Sequence, residues 1–148
     1  MTYETIEVES GTITHIRLNR PERRNAINRK LESELREAMW AADEDRECHC
    51  IVLSGNGPCF SAGHDLYEVA ATYAGGGNAG DSYIGRRSIQ EDIWNINTPT
   101  IAAVHGFVGP HACYVAASCD LIVAAENTRF SMEQMRRGGA NGFPLITF

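Results

Sequence analysis

A chain of 148 residues with 43% apolar residues is long enough for about one domain with a real core, which excludes a disordered polymer. Thirteen Lys and Arg against nineteen Asp and Glu leave a net charge of −6, and neither sign forms a long block, so the basic stripe of a sequence-independent nucleic-acid binder is missing. No apolar run reaches the roughly 18 to 20 residues that span a bilayer, and Met1-Thr2-Tyr3-Glu4 has neither the basic nor the apolar region of a secretory signal. The expectation is a cytoplasmic protein with no nucleic-acid or membrane partner.

Thr5-Ile6-Glu7-Val8-Glu9 alternates apolar and charged residues, Ser10-Gly11 interrupts it, and Ile13 to Leu18 resumes with Ile16 and Leu18 two apart. This pattern predicts a β-hairpin. Pro21 ends it. Asn28 is placed to cap a helix, and Leu31, Leu35, Ala38, Met39 and Ala42 then recur at helical spacing, predicting an amphipathic helix over residues 28–44. Ile51-Val52-Leu53, Ile101 to Val104 and Leu121 to Ala125 are apolar runs without alternation, as expected of strands buried on both faces of a parallel sheet. Ser88 to Ile96 has Ile89, Ile93 and Ile96 at helical spacing. Ala112 to Cys119 is small and apolar and is entered through Gly109-Pro110, where proline suits a first helical turn.

Two local features are set aside. The Gly-rich stretch Ala74 to Gly80 has no following Lys-Ser or Lys-Thr and does not join a strand to a helix, so it is predicted to be a surface loop and not a phosphate cradle. The five cysteines, Cys48, Cys50, Cys59, Cys113 and Cys119, lack zinc-knuckle spacing, and adjacent ligands in an extended Cys48-His49-Cys50 would face opposite ways. Free thiols and no metal site are expected. There is no internal repeat and no second domain, leaving one α/β unit over residues 1–148.

The chemistry points to two strand exits. Ile51 to Ser54 leads into Phe60-Ser61-Ala62-Gly63-His64-Asp65-Leu66, and Ile101 to Val104 leads into Phe107-Val108-Gly109-Pro110-His111-Ala112. Both are turns at the carboxyl ends of buried strands, where α/β folds place ligands. Backbone N–H groups there donate to an anionic oxygen, so one from each turn could hold the oxyanion formed when a carbon beside a carbonyl loses a proton.

These segments, with Leu18-Asn19-Arg20-Pro21-Glu22-Arg23-Arg24-Asn25-Ala26-Ile27-Asn28, Pro99 to Gly106 and Cys119 to Glu126, resemble the enoyl-CoA hydratase/isomerase family, the crotonase superfamily. The likeness covers essentially the whole chain but only the amino-terminal part of a usual member, whose carboxyl-terminal helical part is missing after Phe148. It implies an α/β spiral of repeated ββα units, acyl-CoA thioester substrates, and trimers or hexamers when full length. It also implies oxyanion donors at the amides of His64 and His111, and coenzyme A contacts at Arg23, Arg24, Ala26, Ala62, His64, Asp65, Leu66 and Tyr67. Coenzyme A enters as part of the substrate, and no separate cofactor is expected. Asp65 and Asp120 match aspartates that look structural.

The departures bear on the reaction. Two glutamates that act on one water in the family's hydratases align with Tyr114 and Gln134, and neither replacement is a carboxylate. Glu133, one residue earlier, would face the other way in an extended segment. His64 and His111 are candidate bases, since imidazole titrates near neutrality. The expectation is therefore a family enzyme working through a thioester enolate, with a non-catalytic binder of coenzyme A esters or of partner subunits as the rival.

Overall fold

The computed structural model describes residues 2–76 and 88–133. In chain order the elements are β1 (Ile6–Glu9), β2 (Ile13–Leu18), a 3-10 turn (Pro21–Arg23), α1 (Arg29–Glu44), β3 (Cys50–Gly55), α2 (Leu66–Ala74), α3 (Ile89–Trp94), β4 (Thr100–Val104), β5 (Phe107–Val108), α4 (Pro110–Ala117), β6 (Leu121–Ala124) and β7 (Arg129–Phe130). The hairpin forms as predicted, with Val8 opposite Ile16. β2, β3, β4 and β6 then lie side by side in parallel, giving the order β1-β2-β3-β4-β6.

A second, narrower ladder runs beside this sheet. Ile27 bridges His64, Ser61 bridges Val108, and β5 pairs with β7, all in parallel. Three circuits of the chain thus follow one plan, a main-sheet strand, a short extended segment in the second ladder, then a helix. They are β2, Ile27, α1; then β3, Ser61 to His64, α2; then β4, β5, α4. This is the spiral of ββα units that the resemblance implies. β5 and β7 are two residues each and carry no periodicity of their own, so no sequence pattern announces them.

Helix α1 covers one face of the main sheet. Asn28 caps it by accepting from Leu31 N at 2.9 Å, and the predicted stripe of Leu31, Leu35, Ala38, Met39 and Ala42 is the buried one. These side chains join Ile16, Leu18, Ile51, Leu53, Ala102 and Val104 in the core, each large one contributing about 1.5 to 3 kcal/mol by leaving water. Helix α3 is started by a reciprocal capping box between Ser88 and Glu91 and anchored to α1 by Asp92, which pairs with Arg36 and accepts from Trp40 Nε1 at 3.3 Å. Asp120 accepts from Thr100 N at 2.7 Å and Thr100 Oγ1 at 2.8 Å, which ties the start of β4 to the start of β6 and holds the carboxyl below its usual range. Its expected structural part is thereby observed.

The expectation of strands covered on both faces needs correction. In β3 and β4 burial alternates, and in β6 Leu121, Ile122 and Val123 are 61%, 45% and 60% exposed. A continuous apolar run reports a preference for covered surroundings, while actual cover depends on what packs there, and β6, like β1, is an edge strand among the described residues. All five cysteines are free thiols; Cys48, Cys59 and Cys119 are buried, and Cys50 and Cys113 are half-buried. Residues 77–80 of the predicted Gly-rich loop lie outside the described residues. No helix among the described residues is long and apolar enough to cross a membrane.

The loop from β2 to α1 is pinned by Asn25, which is fully buried. Arg24 and Asn25 both have φ of 51°, a left-handed conformation that asparagine tolerates better than most residues. Asn25 Nδ2 donates to the carbonyls of Asn56, Cys59 and Phe60 at 2.8, 3.0 and 3.1 Å, and its Oδ1 accepts from Arg20 N at 2.9 Å. Replacing Asn25 by Ala strands these groups in the interior and is expected to cost about 3 kcal/mol or more. Urea unfolding measures this, and a loss below about 1 kcal/mol would show that the loop is held by something else.

Candidate active site

The exits of β3 and β4 meet. Phe60 N donates to His105 O and Gly109 N to Ser61 O, both at 2.8 Å. Ser61 is fully buried; its Oγ donates to Asn25 O at 2.7 Å and accepts from Gly63 N at 3.1 Å, so the pinned loop also fixes this turn. The crossing is tighter than side chains permit. A Cβ on Gly109 would lie 2.0 Å from Ala62 O, and one on Gly63, whose φ is +89°, would lie 3.2 Å from His111 N.

Helices α2 and α4 both begin at this crossing, but their first N–H groups are treated differently. Asp65 caps α2 by accepting from Tyr67 N at 3.1 Å, and its charge is matched by Arg20 at 3.0 Å, which also donates to Ala26 O. Helix α4 has no side-chain cap; Gly109 precedes it and Pro110 has no N–H. His111 N–H is consequently its first donor, and it makes no hydrogen bond among the described residues. On the other turn, the bridge to Ile27 uses Gly63 O and Asp65 N, leaving the N–H and C=O of His64 on the side away from Ile27. An uncapped helix start beside a second extended turn favours an anionic oxygen.

The side chains of His64 and His111 stack, ring centroids 3.7 Å apart and planes 19° from parallel. Gln90 Nε2 lies 3.4 Å from His111 Nδ1, and His111 Nε2 is buried without a partner. Burial pushes the His64 imidazole down to about 4; burial, helped by the neighbouring His64, takes His111 to about 3. Both rings are therefore neutral at pH 7. This corrects the expectation of imidazoles tuned for proton transfer near neutrality, because desolvation has removed the proton affinity that a base needs.

The residues expected to meet coenzyme A fall beside the crossing. Arg23 sits in the 3-10 turn with its guanidinium 5.0 Å over the Tyr67 ring, and Tyr67 and Leu66 are 76% and 64% exposed. Arg24 is exposed and uses its carbonyl to accept from Ala62 N at 2.8 Å, while Ala26 is buried and Ala62 half-buried. Tyr114 lies one turn beyond His111 on α4 and is buried. Glu133 is exposed and follows β7, outside any strand, so the alternating-face reasoning does not apply to it. Gln134 lies outside the described residues. Sequence reasoning missed Gln90, whose position in an apolar-spaced helix carried no polar signal, and it quoted Asn25 without seeing its structural part.

Comparison with known proteins agrees with this geometry. The sequence model described as enoyl-CoA hydratase/isomerase matches residues 8–147. The chain belongs to the enoyl-CoA hydratase/isomerase family. A relative from Rhizobium meliloti named a probable enoyl-CoA hydratase is 38% identical over 99% of this chain and 57% of its own length. The 2,3-dehydroadipyl-CoA hydratase of Escherichia coli is 35% identical over 94% of this chain and 54% of its own. A crystal structure of an enoyl-CoA hydratase subunit from Geobacillus kaustophilus superposes with a TM-score of 0.81 at 30% identity, covering 92% of this chain and 52% of that one. This enoyl-CoA hydratase/isomerase family chain thus shares the fold while spanning about half the length of the relatives it matches.

Two outcomes follow for this family member. Gly109→Ala drives a methyl group into backbone that no rotamer change relieves, so a loss of about 4 kcal/mol or of cooperative unfolding is expected in a urea titration. The depressed imidazoles make stability depend on pH: above about 6.5 neither state binds these protons, and below it the unfolded chain binds them while the fold does not. Stability is therefore expected to fall from pH 6.5 towards 4. Replacing His64 and His111 together by Phe should flatten that slope, and an unchanged slope would mean that the rings are not its source.

Proposed function

We propose that this chain carries the oxyanion site of an enzyme acting on acyl-CoA thioesters. The observation that carries the reading is the His111 N–H, first donor of an uncapped helix, set against the glycine turn that leads to His64. In this reading the thioester oxygen accepts from the amides of His111 and His64. When a base removes a proton from the neighbouring carbon, the electron pair of the broken C–H bond delocalises onto that oxygen, and the two donors stabilise the enolate. Arg23 and Arg24 offer forked donors to phosphates, and the exposed Tyr67 ring offers a face to adenine.

Desolvation lowers the proton affinity of both imidazoles, which disfavours either one as the proton acceptor. With Tyr114 and Gln134 at the positions aligned with the family's glutamates, enoyl-CoA hydration is less favoured than another reaction of the shared enolate. A second reading, binding of a coenzyme A ester without turnover, is supported by Asp65, the carboxylate at the crossing, being engaged by Arg20 and the start of α2.

Deuterium uptake at C2 of butyryl-CoA in heavy water separates the two, since only enolate formation exchanges that proton. Proline is tolerated in a first helical turn, so, measured against His111→Ala, which loses the same ring but keeps its N–H, His111→Pro deletes the amide donor. It is expected to slow exchange by roughly 10² to 10³ while coenzyme A affinity changes far less. Equal losses in both would count against an oxyanion donor. Arg23→Ala is expected to weaken butyryl-CoA roughly tenfold or more without affecting a butyryl-pantetheine thioester, which lacks the phosphates. Equal weakening of the two would remove Arg23 from the phosphate site.

A further inference from the structure

We propose that the stacked imidazoles of His64 and His111 form a clamp that sets the spacing of the two backbone donors, with Gln90 as the positioning residue that holds its buried half. The proposal rests on the acyl-CoA reading above. Each of the two residues whose amides are assigned to the oxyanion carries an imidazole, and these residues belong to different circuits of the spiral. Their rings meet face to face at 3.7 Å. A stack between the side chains of two donor residues fixes how far apart their backbones stand.

Several features argue that the His111 ring acts through the backbone and not on substrate. His111 Nδ1 faces Gln90, and Nε2 is closed off from solvent, so neither nitrogen is presented to a ligand. A buried ring nitrogen without a partner lowers stability, which makes a purely structural reason for an imidazole weak. What an imidazole offers here beyond a hydrocarbon ring is a nitrogen by which its plane is held. Gln90 is itself 3% exposed and rigidly placed, since α3 carries Ile89 and Ile93 into the core and Asp92 onto Arg36 and Trp40 of α1. The lever runs from α1 through α3 to the α4 donor.

The test follows deuterium uptake into butyryl-CoA, with coenzyme A affinity measured alongside, for His64→Ala, His64→Phe, Gln90→Leu and the His64→Ala/Gln90→Leu pair. His64→Ala removes the stack and is expected to slow exchange about tenfold, by a larger factor than it weakens coenzyme A binding. His64→Phe restores a ring and should recover most of that loss. Gln90→Leu should slow exchange less, and the pair should be no slower than His64→Ala alone, because Gln90 acts through the stack. Equal losses in the Ala and Phe variants, or multiplying losses in the pair, would overturn the clamp. Should His64→Ala fail to fold, Gln90→Leu must still slow exchange in the His64→Phe background, and no effect there overturns it. A folded wild-type chain that binds coenzyme A but exchanges no proton would instead remove the acyl-CoA enzyme reading itself.

Discussion

Everything at the site depends on two backbones passing closer than any side chain would allow. Gly109 lies so near Ala62 O that a methyl group has no room, and Gly63 faces His111 N across the same gap. That approach permits the bond from Gly109 N to Ser61 O, which joins the second circuit of the spiral to the third. It also brings the starts of α2 and α4 together. The second ladder is thus a structural necessity before it is a site, and the site is what is left over where the ladder turns into helices.

The contrast between the two helix starts gives the site its polarity. Asp65 accepts from Tyr67 N in the first turn of α2 and is neutralised by Arg20, whereas α4 begins at Gly109-Pro110 with no capping side chain. A proline after a glycine supplies helical geometry without supplying an oxygen, which leaves the next amide open for an incoming one. Neutral imidazoles flank that amide. A charged pair stacked at 3.7 Å would repel itself, so the same burial that makes the stack possible removes the rings from proton chemistry at neutral pH.

The elements with strong local patterns were legible. The hairpin alternation, the stripe of α1 and its Asn28 cap all correspond to observed structure, because each depends on neighbours two to four residues away. The motif around His64 and His111 marked the crossing correctly through its resemblance to a family. Asn25 was visible only as a letter in a motif, since its hydrogen bonds reach across to Asn56, Cys59 and Phe60. Gln90 was invisible for the same reason, and β6 was misjudged because an apolar run does not say what covers it.

By itself the sequence determined the hairpin, the order of the main-sheet strands along the chain, the amphipathic face of α1, the family and the two strand-exit turns. All of these are properties of short-range pattern or of motif. Only the tertiary structure decided that β6 stands exposed, that the two histidines stack with their proton affinity lowered by burial, and that Gln90 lies against His111. The physical reason is desolvation: the protonation of a ring and the worth of a hydrogen bond depend on how much water remains around them, and that is set by segments brought together from distant parts of the chain.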